Sequence, residues 1–148
     1  MRNFAKRLIA YERLENASSE TPQPAAFHVC EKLHAHMATF MGNAGFRALL
    51  ARALVLATTE VPWLSAVQVK ADATLEGLAE LHTQLEPDKL FEGGVVLLAQ
   101  LLGLLVGFIG ERLTFRLVNE VWPEFSLANM GLENREKNEN RVKNEKAK

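Results

Sequence analysis

The chain predicts an all-α fold: a compact bundle of about five helices around a long apolar C-terminal helix. Three observations carry that expectation. Val95 to Gly110 is apolar almost throughout, no charge interrupts it, and its Leu, Ala and Gln content favours helix over strand. Apolar residues recur elsewhere at three- and four-residue spacing, so other segments also have one greasy face to bury. Strand-like alternation is confined to the short stretch Val67 to Lys70.

The central helix is expected to run from Val95 to Val121. Glu111 and Arg112 begin an amphipathic continuation, and Pro123 disfavours helical geometry at Trp122. At about 100° per residue, Gly103, Gly107, Gly110 and Thr114 share one narrow stripe, with Gln100 and Glu111 beside it. Glycine costs about 1 kcal/mol relative to alanine in a helix. Such a stripe therefore predicts close approach by another backbone, as small residues at four-residue spacing allow.

Composition divides the chain into three regions. Residues 1–24 form an amphipathic helical arm and a linker. Arg2 to Asn16 places Phe4, Leu8 and Tyr11 on one face, and Ala17 to Gln23 is rich in Ser and Pro. Residues 25–123 form the helical core. Residues 124–148 form a flexible, charged tail, because Met130 to Lys148 has almost no apolar content to offset its ordering entropy.

Within the core region, Ala25 to Met41 carries a broad apolar face. Gly42 suits its end, and Asn43 suits the N-cap of the next helix. Ala44 to Val61 has a bulky side (Phe46, Leu49, Leu50, Ala53, Ala57) and a small-residue side (Ala44, Ala48, Ala51, Val55). One of these alanine-bearing faces is expected to pack on the glycine stripe. Pro62 stops the helix, with Trp63 and Leu64 tucking into the core edge. Val67 to Lys70 reads as an extended connector in preference to an edge that pairs with something, since a lone strand has no partner in a helical monomer. A fourth helix is expected from Asp72 or Thr74 to Leu85, a short turn or helix from Pro87 to Phe91, and a hinge or bend at Gly93-Gly94. After Pro123 the core should end.

The net charge of −1 offers no electrostatic argument for nucleic acid. Cys30 is the one cysteine, which excludes an intrachain disulfide, and cytoplasmic residence is the expectation. His28, Cys30, His34 and His36 lie close in sequence, but helix geometry puts only Cys30 and His34 squarely on one face. That falls short of a closed metal site. Cys30 lies on an apolar face, where burial raises a thiol's pKa, so it is not expected to be a nucleophile. No catalytic residue, metal or cofactor is predicted.

The function that fits is a small non-enzymatic interaction or regulatory module whose partner is another protein or a second copy of itself. Two alternatives stand beside it. One is a sensor with a core cavity for an apolar ligand, lined by Cys30, His34, Gly103, Gly107 and Glu111. The other is a membrane-associated protein with residues 93–110 as a short span. That span is the less favoured reading, because a bilayer takes about 20 apolar residues and this run is roughly 16.

Overall fold

The computed structural model describes residues 1–15, 25–77, 80–81 and 84–125. It is all-α, with helices α1 (Arg2–Glu15), α2 (Ala25–Glu60), α3 (Pro87–Ile109) and α4 (Glu111–Val121). α2 breaks at Gly42 (φ 80°, ψ 160°) into arms 25–41 and 43–60, so the described residues hold five helical rods.

The break at Gly42 falls where the sequence ends the second helix. Asn43 does something other than the expected forward cap: its Oδ1 accepts a hydrogen bond from His34 Nε2 at 2.8 Å. The His34 ring in turn lies 5.2 Å from that of Phe46, so one histidine ties the two arms across the corner. Both ends of α2 come back to the same place. Ala26, at the start, packs against Gly94, and the Trp63 ring, just past the end, lies on Gly93. Each arm is about 25 Å long at ~1.5 Å per residue, so the corner at Gly42 is a reversal and α2 is a helical hairpin.

The long C-terminal helix is not continuous. Gly110 adopts φ 90°, ψ 156°, nearly the same conformation as Gly42, and divides the expected single helix into α3 and α4. Here too the second rod turns back on the first. Trp122, at the end of α4, donates its indole N–H to Glu12 of α1 at 2.9 Å, while Ile9 of α1 reaches the backbone at Gly94 near the start of α3. α3 also begins earlier than expected. Pro87 takes its first turn, and the helix passes straight through Gly93-Gly94. Those glycines are no hinge: a Cβ at Gly93 would enter the Trp63 ring, and one at Gly94 would lie 2.5 Å from the Ala26 Cβ. Close packing, not bending, accounts for both.

α1 docks on its own chain, with Ala5, Leu8 and Ile9 fully buried. The core between the hairpins is built from Leu33 and Met37 of the first arm, Phe46, Leu50 and Ala53 of the second, and Leu97, Leu98, Leu101, Leu102 and Leu105 of α3. The bulky side assigned to residues 44–61 is thus the buried one. The core extends past Pro123: Phe125 is buried against Phe4 and Tyr11.

Between the hairpins runs a short connection. Pro62–Ala66 form a 3-10 turn with Leu64 buried, as expected of the core edge. Val67 to Lys70 is not an unpaired connector. Gln68–Val69 (β1) pairs antiparallel with Leu75–Glu76 (β2), in the register Gln68 to Glu76 and Val69 to Leu75. β2 occupies the expected start of the fourth helix, because backbone pairing with β1 outweighs the helical spacing of its leucines. Helix resumes among the described residues at Glu80. The Asp72 carboxylate closes the turn by accepting from Thr74 Oγ1 (2.6 Å) and Thr74 N (3.2 Å), which lowers its pKa. The linker Ala17 to Gln23 and residues 126–148 of the tail lie outside the described residues, as do Leu78 and His82.

Candidate interaction surface

The residues singled out in the sequence fall into two groups that the fold keeps apart. Cys30 lies in the core, and desolvation there, helped by neighbouring Glu31, pushes its thiol up to about 12. A thiol so placed stays protonated and unreactive at neutral pH. His34 is half-buried and committed to Asn43. His36 leaves the Cys30 face altogether and donates from Nε2 to Glu120 of α4 at 2.8 Å. This contact straps the second hairpin to the first, and Arg116 reaches the same carboxylate at 3.7 Å from within α4. Among the described residues no three His, Cys, Asp or Glu side chains converge as metal ligands would.

Gly103, Gly107 and Glu111 face the other way. Among the described residues, no atom beyond the helix's own backbone lies within 4 Å of where a Cβ would sit on Gly103 or Gly107, and both glycines are exposed. The expected packing of an alanine face on this stripe therefore does not occur within the chain. Its would-be partner is equally bare: Ala44 and Ala48 are exposed, and Val55 is 63% exposed. The reason is geometric. The bulky sides of both helices take the core, which turns their small-residue sides outward. Glu111 is exposed as well. Arg47 gives its Nε–H to the Lys70 carbonyl at 3.0 Å.

Large apolar side chains accompany these bare backbones. Phe108 is 68% exposed and Phe40 55%. Each stands two residues before the glycine on which its hairpin turns. Measured from the contact of Ala26 with Gly94, both helices advance about 21 Å to reach these rings, at ~1.5 Å per residue. Phe40 and Met37, three residues apart, both belong to the broad apolar face of residues 25–41. Met37 is indeed fully buried, but Phe40 lies where the first arm runs out of neighbours just before its corner. Fully burying one Phe is worth about 1.5–3 kcal/mol, so these rings and the surrounding bare helix are a store of unused association energy.

Sequence reasoning missed one buried polar group. Glu12 is fully buried, and its carboxylate accepts from Lys32 Nζ (2.6 Å) on α2 and from Trp122 Nε1 on the far side. Its place in an otherwise apolar stripe with Ala5, Leu8 and Ile9, at three- and four-residue spacing, is the signal that was available. The triad joins α1, α2 and the end of α4, and is structural in character.

No protein-family model matches the chain, and neither a curated protein nor a solved structure matches it. What it can do must therefore be argued from its own surface.

Proposed function

We propose that the protein is a non-enzymatic helical interaction module that works by presenting the bare faces of α3 and of the second arm of α2. One observation carries the reading. Gly103 and Gly107 keep a costly residue type inside a helix, have nothing among the described residues packed within 4 Å of where a Cβ would sit, and stand beside an exposed Phe108. Glycine at four-residue spacing lets another helix approach to backbone contact, and an exposed aromatic ring is the usual anchor of such an interface. The near-zero net charge suits a partner recognised by shape and apolar contact, with nucleic acid disfavoured. A cytoplasmic setting belongs to the same proposal.

A photo-reactive benzoylphenylalanine in place of Phe108, in cells making the full chain, tests it. An adduct with a protein is expected on irradiation, and none from the same residue placed at exposed Arg13. Equal or absent adducts at the two positions would end this reading.

A lipid surface is the second reading, favoured by one observation. Ala25–Glu60 and Pro87–Ile109 are both long and apolar enough, by length and composition, to cross a bilayer. Against it, Gly42 divides the first of these into two shorter arms, and Glu111 and Arg112 stand exposed at the corner beyond Phe108. Flotation with vesicles distinguishes the two readings.

A further inference from the structure

We propose that the occupant of this surface is a second copy of the same chain, with the alanine face of one copy seated on the glycine stripe of the other. The proposal rests on the interaction-module reading and deepens it by naming the partner.

Two surfaces of matching relief are bare on one molecule. Ala44, Ala48 and Val55 succeed one another along the second arm of α2, and Gly103 and Gly107 do so along α3. Methyl groups at four-residue spacing on one helix fill the hollows left by glycines at four-residue spacing on another. Within the chain the two faces cannot meet, because each is turned outward by the bulky side behind it. Between two chains nothing prevents it.

Charge complementarity points to the same partner. The alanine face carries Arg52, four residues after Ala48, and Glu111, the first residue of α4, stands at the Gly110 corner just past the glycine stripe. Both are exposed, and among the described residues neither has an ion-pair or hydrogen-bond partner. Seating one face on the other brings a guanidinium to a carboxylate at the rim of an apolar contact. The contact made twice about a two-fold axis pairs Arg52 with Glu111 at both ends and closes a dimer. The net charge of −1 per chain imposes little repulsion on such a pair.

Sedimentation equilibrium of the purified full chain, over a wide concentration range, reads the result. The expected outcome is a mass that doubles with concentration. Arg52→Glu and Glu111→Arg should each weaken association on the order of tenfold, and the double reversal should restore it. Gly107→Leu should abolish association while leaving the circular dichroism and melting of the monomer intact or improved, since its Cβ enters open space. A chain that stays monomeric at every concentration overturns the proposal, as does association indifferent to all three single variants. If a monomeric chain still gives the Phe108 adduct with another protein, the choice of partner fails and the interaction reading survives. If neither association nor adduct is seen, both fail. Binding to phosphatidylcholine vesicles without self-association assigns the face to lipid and overturns the proposal.

Discussion

Glu12 shows how much one side chain can decide. A carboxylate taken wholly out of water is tolerated only when its oxygens are bonded, and here Lys32 and Trp122 supply those bonds from two different elements. Glu12→Ala should therefore cost about 2–4 kcal/mol in urea unfolding, because it leaves the Trp122 N–H buried without an acceptor and opens a void under α1. Glu12→Gln should cost less, since an amide oxygen still accepts from the indole. Cys30 makes the complementary point. Its thiol titrates near 12 when folded, against an ordinary value of 9.0, because burial penalises the thiolate. The folded pKa is the raised one, so this contribution to stability is complete below pH 9. It then declines, by roughly 1 kcal/mol per pH unit, as pH climbs from 9 towards 12. Cys30→Ala should flatten that part of the stability-against-pH curve. At pH 8 a thiol reagent should label the wild-type chain only at its unfolding rate, and rapid labelling of folded protein would contradict the burial.

Among the elements, five glycines sort into three physical kinds that the letter G does not distinguish. Gly42 and Gly110 sit at φ 80–90° and ψ near 160°, a region that is essentially glycine-only. Alanine at either should cost about 1–3 kcal/mol through backbone strain, although no atom lies within 4 Å of the added methyl. Gly94 is helical but crowded by the Ala26 Cβ at 2.5 Å, so Gly94→Ala should cost about 1–3 kcal/mol through steric displacement of α2 from α3. Gly103 and Gly107 are helical and open, so alanine at each should stabilise the monomer by about 1 kcal/mol. Thermal melts of the five single variants check the whole pattern at once. A loss of stability at Gly103 or Gly107 would mean that the stripe is packed in the monomer after all.

The element scale also shows why some boundaries were legible and others were not. Pro62 and Pro123 remove a donor and restrict the residue before them, so α2 ends at Glu60 and α4 at Val121 much as the sequence requires. Gly42-Asn43 stands between two unlike apolar patterns, and its break is readable. Gly110 stands inside a pattern that continues smoothly into Glu111 and Arg112, so nothing local marks it as a corner. It turns because Trp122 has to come back to Glu12, a contact spanning most of the chain. Leu75 failed for a related reason: its leucine spacing is helical, but β1 offers backbone hydrogen bonds, and propensity loses to pairing. Of the candidate site, the glycine stripe was visible as a periodicity. That it faces solvent was not, since three-residue and four-residue spacing says which residues share a face and nothing about what covers it.

For the whole molecule, the two hairpins share one construction. Each runs out from the contact of Ala26 with Gly94, turns on a single glycine of the same conformation just past an exposed Phe, and returns to be fastened near α1. The fastening is dense at one end, where Arg2 pairs with Glu60, Tyr11 donates to Glu124, and Phe4 meets Phe115 edge-on at 5.0 Å. It is sparse at the corners, where Phe40, Phe108, Gly107 and Ala44 lie open. A partner covering the open faces should slow amide exchange through the second arm of α2 and the last turns of α3, and leave α1 unchanged. Protection that rises evenly along the chain with concentration would count against an interface placed there.

The helical class, the break at Gly42, the stops at Pro62 and Pro123, and the bulky side of each helix are all legible in the order of residues. These depend on local chemistry: a missing N–H, a fixed φ, the 3.6-residue period. The corner at Gly110, the strand pairing of Leu75, the burial of Phe125 and Glu12, and the outward turn of the small-residue faces come from packing. Each of those depends on contacts between residues far apart in the chain, and whether a surface is covered is a property of the packed whole.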